Sequence, residues 1–385
     1  MKHRILLALA LTGCGVAPYV GPERMTDAPS PRSVVQVHFK DRATLDHLSQ
    51  RGVDLFENVD AARGTVGATL TPETQLVLKD LAVDFDVMVP TLAEAGLPDG
   101  YLTLDQLAAD LKAIAAAHPT IARAVELGKS LEGRPILALE ITSKPGQGLP
   151  AVRIGAGQHA RELPPVELAN RFMHQLVDGY GKDAKLTALV DTRDTWIVPV
   201  VNPDGRAKVE AGKSMWRKNT RQLAQGAQGV DTNRNCDSHW ASGNSSPFSE
   251  AYRGTAPFSE PESRAMRDLC SKQRFKVSLD MHNFGGMVLW PPGHTATPSK
   301  DEPAFKAIGS KLADHLGYKA GTIATTIYVT DGDLASWEYE KFGTLAFAAE
   351  LDDGAFGPAH ERVEKDWQAW SPNLVALVEA AKPAP

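Results

Sequence analysis

Residues 151–176 read AVRIGAGQHARELPPVELANRFMHQL. The first five residues have the pattern of a strand, and 165–176 that of a helix with Pro164 and Pro165 suited to its first turn. Between them stands the polar cluster Gly157-Gln158-His159-Ala160-Arg161-Glu162. In open α/β sheets ligands bind beyond the carboxyl ends of the strands, so a polar cluster in this position is a candidate site.

The same alternation extends in both directions. A long amphipathic helix is expected over 103–118, with Thr103 and Asp105 placed to cap it, and a strand over 135–142. Further on, strands are expected over 196–201, 275–281 and 343–351, and helices over 261–272, 303–316 and 372–381. Apolar strands broken by helices indicate an α/β fold, a mixed and mostly parallel sheet with helices on both faces. Before it, residues 33–90 run strand, helix, strand, strand, helix, strand over 34–39, 43–50, 53–58, 65–70, 72–81 and 85–89. That order predicts a small α+β open sandwich, and nothing in it carries obvious chemistry. Residues 91–100 have the composition of a linker, and 101–385 form the main domain.

The chain has 385 residues, 43% hydrophobic and 23% charged, as expected of an ordinary folded protein. Its formal charge of −6 argues against nucleic acid as a partner. Three cysteines cannot build a disulfide scaffold; Cys236 and Cys270 read as unpaired and buried, with pairing between them in an exported protein the open alternative. At the N-terminus a basic head (Lys2, His3, Arg4) precedes the apolar stretch Ile5 to Leu11. Leu11-Thr12-Gly13-Cys14 follows and is similar to a bacterial lipobox. Residues 1–13 are therefore expected to be a signal peptide, with Cys14 lipidated and 14–32 a tether. The protein would be exported to the cell envelope, held to the membrane through that lipid; plain secretion is the alternative. A monomer is expected.

Four polar clusters fall at the ends of expected strands: Gly157–Glu162, Asn202-Pro203-Asp204-Gly205-Arg206, His282 and Glu350. Singly each is weak, but all four fall on one rim. A hydrolytic Zn²⁺ site takes three protein ligands and leaves a position for water or substrate. His159 and Glu162, three residues apart, can reach one ion, and His282 would complete the set. Two neutral imidazoles and one carboxylate leave about one positive charge to lower the pKa of water and polarise a carbonyl. Glu350 ends the apolar run Leu345-Ala346-Phe347-Ala348-Ala349, where partial desolvation would raise its pKa toward that of a general base.

Over roughly residues 101–355 the chain resembles the zinc carboxypeptidases of the pancreatic carboxypeptidase A type. The resemblance rests on an ordered set that begins with Leu131-Glu132-Gly133-Arg134-Pro135-Ile136, Gly157–Glu162, Asn202–Gly205 and Trp216-Arg217-Lys218. It continues with Gly229-Val230-Asp231-Thr232-Asn233-Arg234-Asn235, Tyr252-Arg253-Gly254 and Phe258-Ser259-Glu260-Pro261-Glu262. His282, Thr325-Thr326-Ile327-Tyr328 and Glu350-Leu351 complete it. The resemblance implies one Zn²⁺ per chain on His159, Glu162 and His282, with Glu350 as the base that activates the metal-bound water. It implies that Arg217 stabilises the tetrahedral oxyanion, that Asn233 and Arg234 hold the substrate's terminal carboxylate, and that the mobile Tyr328 closes over it. Arg161 would line the cleft. Ala335 would form the base of the side-chain pocket, with Asp333 nearby and Gly293 opposite; Asp333 reads equally as a turn residue. The 33–90 unit resembles the family's propeptide domain and would cover the cleft until the 91–100 linker is cut.

The expected function is zinc-dependent hydrolysis of the C-terminal peptide bond of peptides and proteins. Alternatives are a cell-wall peptide hydrolase of the same family and a non-catalytic, peptide-binding envelope lipoprotein. After Asp353-Gly354 the chain leaves the family pattern, and Cys236 stands where the family commonly has an aromatic residue.

Overall fold

Two β-sheets divide the molecule. The computed structural model describes residues 32–89, 95–352 and 354–382. The expected signal peptide, Cys14, the tether through residue 31, Pro90 and linker residues 91–94 lie outside the described residues.

The first sheet belongs to the small N-terminal unit: β1 (Ser33–His38), α1 (Arg42–Gln50), β2 (Asp54–Leu55), β3 (Thr65–Leu70), α2 (Pro72–Asp80) and β4 (Phe85–Val89). Its strands are ordered β2-β3-β1-β4, and every pairing is antiparallel. Each helix starts on a side-chain cap, Asp41 accepting from the Thr44 amide and Thr71 from the Thr74 amide. The strand expected over 53–58 is only two residues long in the ladder. Beyond Leu55 the Phe56 amide still donates to the Gly67 carbonyl of β3 (2.8 Å), but the Gly67 amide is taken by the Asn58 side chain (2.9 Å). The Phe56 ring packs on Phe284 and Phe356 of the larger unit.

The larger unit begins α3 (Leu104–Ala117), β5 (Ala122–Lys129), β6 (Pro135–Ile141), β7 (Ala151–Ala156), α4 (Pro164–Gly179), α5 (Ala184–Thr192), β8 (Asp194–Val198) and α6 (Pro203–Glu210). It continues α7 (Pro261–Gln273), β9 (Val277–Asn283), β10 (Met287–Trp290), α8 (Glu302–Leu316), β11 (Lys319–Thr322), α9 (Ile323–Thr326), α10 (Leu334–Phe342), β12 (Leu345–Leu351) and α11 (Glu361–Ala380). The eight strands are ordered β11-β10-β12-β9-β7-β8-β6-β5. Pairings β10/β11, β12/β9, β9/β7 and β7/β8 are parallel, and the other three are antiparallel. The fold is thus mixed α/β with a small second domain, as expected.

Side chains alternate across this sheet into two cores. Val152, Ile154, Leu279 and Phe347 face the buried sides of α3, α4, α8 and α11, where Phe172, Met173 and Leu176 of α4 are fully buried. Trp196, Val198 and Ile136 face α7 and α10 on the other side. Each such aliphatic side chain contributes about 1.5–3 kcal/mol. A buried ion network crosses the second face: Arg153 of β7 donates to Asp280 of β9 (Nη2–Oδ2 2.9 Å) and to Glu338 of α10 (2.7 Å).

Several boundaries move. The closing helix starts at Glu361, eleven residues before its expected start, and carries Pro372 inside it. Val363, Trp370 and Leu374 bury one continuous face there, and that packing outweighs the hydrogen bond lost at the proline. Strand β9 runs on to Asn283, so His282 is a member of the ladder and not a residue beyond it, while β12 ends at Leu351 and contains Glu350, as expected. Cys236 and Cys270 are free and buried, as read from the sequence.

Candidate metal centre

The loop after β7 makes the first donor possible. Gly157 sits at φ +64°, and a Cβ there would come within 3.2 Å of Val166 and of the Val200 backbone. Glycine alone adopts this conformation without strain, and it turns His159 back toward the sheet. Asn202 holds the turn from behind: its side-chain nitrogen donates to the Gln158 and Lys218 carbonyls at 3.2 and 3.0 Å. The Asn202–Gly205 cluster is therefore scaffold for the neighbouring loops.

His159, Glu162 and His282 converge. His159 Nδ1 lies 2.7 Å from Glu162 Oε1, and His282 Nδ1 lies 2.8 Å from Glu162 Oε2. All three are buried, and their donor atoms lie within 4.8 Å of one another. Burial alone would raise the Glu162 pKa, but the two imidazoles outweigh it and hold the carboxyl well below its ordinary range. Two imidazoles and a carboxylate around one point are a donor set that fits Zn²⁺.

Glu350 is the register partner of His282 in the parallel β12/β9 ladder, which sets it beside the donors. Its Oε2 is buried and has no hydrogen-bond partner among the described residues. Burial, reinforced by the Glu57 and Glu162 carboxylates, pushes its pKa well above the usual carboxylate range.

Asp231 was quoted in a sequence motif without a role, and it proves to join two of the expected residues. Its Oδ2 accepts from Arg217 Nε at 3.1 Å and Nη2 at 2.9 Å, while its Oδ1 lies 3.4 Å from His159 Nε2. Asp231 thus stands behind the His159 ring, at a separation longer than a hydrogen bond. Burial would lower the Arg217 pKa, but Asp231 and Glu57 hold the guanidinium firmly charged. Arg217 Nη1 is buried without a hydrogen-bond partner among the described residues. The nearest sequence signal was Asp231 standing two residues before Asn233-Arg234.

Asn233, Arg234, Asp333 and Ala335 line one pocket together with His159, His282 and Glu350. Asn233 accepts from the Leu334 amide (3.0 Å), and Arg234 donates to the Asn233 carbonyl (2.8 Å). Asp333 serves as turn residue and pocket wall at once: it caps α10 by accepting from the Ser336 amide (2.8 Å) and also takes the Thr330 hydroxyl (3.2 Å). Gly293 faces it, and a Cβ there would meet Asp333 Oδ2 at 2.6 Å.

Two further expected residues, Arg161 and Tyr328, are engaged by the N-terminal unit. Arg161 forms a two-pronged ion pair with Asp54 (2.7 and 2.9 Å), its guanidinium 4.0 Å from the Phe356 ring. Tyr328 is buried; its hydroxyl donates to the Leu55 carbonyl at 3.2 Å and lies 3.5 Å from Glu57 Oε1. Burial, then Glu57, pushes its phenol upward, so it stays protonated. Glu57 itself lines the pocket beside His159 and Glu350, and burial raises its pKa. The reading of residues 33–90 as free of chemistry is therefore corrected. Asp54 and Glu57 were missed because their partners lie on distant parts of the chain.

Comparison with known proteins follows the same line. A family model described as Zinc carboxypeptidase matches residues 107–371. Carboxypeptidase A1 of Rattus norvegicus is 29% identical over 424 residues, covering 99% of each chain. Carboxypeptidase A1 of Bos taurus is 32% identical over 285 residues, covering 70% of this chain and 68% of that one. Among solved structures, carboxypeptidase A from Helicoverpa armigera superposes with a TM-score of 0.81 at 22% identity, covering 91% of this chain and 98% of that one.

Proposed function

The chain belongs to the zinc carboxypeptidase family, and from that premise we propose how its own residues remove the last amino acid from peptides and proteins. It is a metallocarboxypeptidase that uses one Zn²⁺ per chain and acts on peptide C-termini. One observation carries the residue assignment: three buried donors meet at a point, and Glu350, with an unpartnered buried oxygen, shares a ladder rung with one of them.

In this reading His159, Glu162 and His282 hold the Zn²⁺, which when bound polarises a carbonyl and acidifies water. Glu350 takes the proton of the attacking water and returns it to the leaving amine. Arg217, oriented by Asp231, offers its unpartnered nitrogen to the developing oxyanion. Asn233 and the Arg234 guanidinium fork hold the terminal carboxylate, and Tyr328 closes on it. Arg161 lines the cleft upstream of the scissile bond. Ala335 leaves the pocket base small and uncharged, while Asp333 adds a negative wall, so apolar and basic side chains are both accepted.

Residues 32–89 act as a cover in the same reading. Asp54 engages Arg161, and Leu55 and Glu57 engage Tyr328, so substrate meets an occupied cleft. Cutting the 91–100 linker would release the enzyme from this zymogen state. The protein would be an exported monomer of the cell envelope, lipidated at Cys14; labelled fatty acid should enter the wild-type chain and not Cys14→Ala.

The test is release of C-terminal amino acids from blocked dipeptides by the linker-cleaved chain. Release that ends on chelation and returns with Zn²⁺ supports the reading, and release that persists after exhaustive chelation contradicts it.

A further inference from the structure

A second group of two histidines and a glutamate lies outside the centre described above. His239 precedes a short 3₁₀ turn, Trp240–Ser242, at φ 49°. His294 follows β10 and is the next residue after Gly293, and Glu340 lies in the last turns of α10. His294 Nδ1 is 3.6 Å from Glu340 Oε1, and His239 Nε2 is 3.9 Å from the same oxygen. One ligand atom from each of the three residues falls within 4.8 Å of the others.

These spacings are informative. Hydrogen-bonded nitrogen and oxygen atoms stand about 2.7–3.2 Å apart, so neither contact is a hydrogen bond. Donors around a tetrahedral ion with bonds of 2.0–2.1 Å are separated by roughly 3.3–3.4 Å. The two histidine–glutamate separations are thus only a few tenths of an ångström wider than an ion's grip. His294 Nδ1 is moreover buried with no hydrogen-bond partner among the described residues. The two rings are stacked, centroids 3.4 Å apart and 19° between planes, so sharing an ion requires one of them to turn. The His239 side chain is the more exposed of the two, at 48% against 25% for His294.

We propose that His239, His294 and Glu340 form a second metal site, selective for imidazole-preferring divalent ions such as Zn²⁺ or Ni²⁺ over Ca²⁺ and Mg²⁺. Water fills the remaining coordination positions. The ion would tie the loop after β10 to α10, which are the two elements carrying Gly293 and Asp333 of the side-chain pocket. Occupancy would therefore stiffen the pocket wall without touching the hydrolytic centre.

The experiment is calorimetric titration of Zn²⁺ into the full chain already holding one equivalent of zinc. Wild-type protein should take up one further equivalent, and His294→Gln and Glu340→Gln should each lose that equivalent while keeping the first. Ca²⁺ should give no binding heat at the same concentration. The proposal is overturned if the wild type saturates at one zinc, or if the double variant still binds two.

Discussion

The two sheets of this molecule contribute opposite things to one cleft. The eight-stranded unit supplies the metal donors and the cations Arg161, Arg217 and Arg234. The four-stranded unit supplies Asp54 and Glu57, whose charge partners lie in the other unit. Around this polar contact the units share an apolar cluster, in which Met287, Leu289, Ile323 and Ile327 pack with Val35, Leu45 and Val66. In the proposed reading the difference teaches that the larger unit is built for reaction and the smaller one for occupancy, with charge contacts aiming the cover and apolar contacts holding it down.

The strongest way to break this contrast is Glu350→Gln in the linker-cleaved chain. A positioned general base contributes about 10²–10⁴-fold, so turnover should fall by that range while zinc content stays at one. Unchanged turnover would place the reaction elsewhere. Next comes Asp54→Ala in the uncut chain. It leaves the buried Arg161 without its ion pair, a loss of about 3–5 kcal/mol. Because about 1.4 kcal/mol is tenfold in an equilibrium, peptide hydrolysis by the uncut variant should rise at least tenfold. A variant as silent as the wild type would show that the apolar contacts alone keep the cleft closed.

The smallest effect is on pH. Burial would raise the Asp54 carboxyl, but Arg161 dominates and holds it at about 2, below its ordinary 3.8. A depressed carboxylate stabilises the folded form fully above its unfolded pKa, and that stability is lost as pH falls through the folded value. The uncut chain should therefore lose about 2 kcal/mol between roughly pH 4 and pH 2. Acid unfolding of Asp54→Asn, followed by circular dichroism, should show a shallower slope over the same interval. Parallel curves would show that the ion pair adds no stability.

Much of the site was legible because strands run into polar clusters at one rim. His159, Glu162, His282 and Glu350 could each be placed by local pattern, and the ladder supplied their convergence. Asp231, Asp54 and Glu57 could not, since their roles exist only across contacts between separated segments. The alternation of strand and helix conveyed the mixed sheet, while β10 and β11, four residues each, were too short for a pattern to emerge. Helix α10 was hidden for another reason: Asp333 looked like part of a turn when it was also the helix cap. Pro372 misled at the C-terminus, because its cost is local and the packing that offsets it is not.

The pairing of Glu350 with His282 on a single rung has a consequence for how such an enzyme changes over generations. Adjacent strands stand about 4.8 Å apart whatever the surrounding loops do. The spacing between Glu350 and His282, the one candidate donor that stands on a strand, is thus inherited from the sheet itself, and the loops that choose the peptide can drift, lengthen or be replaced while that spacing stays as it was.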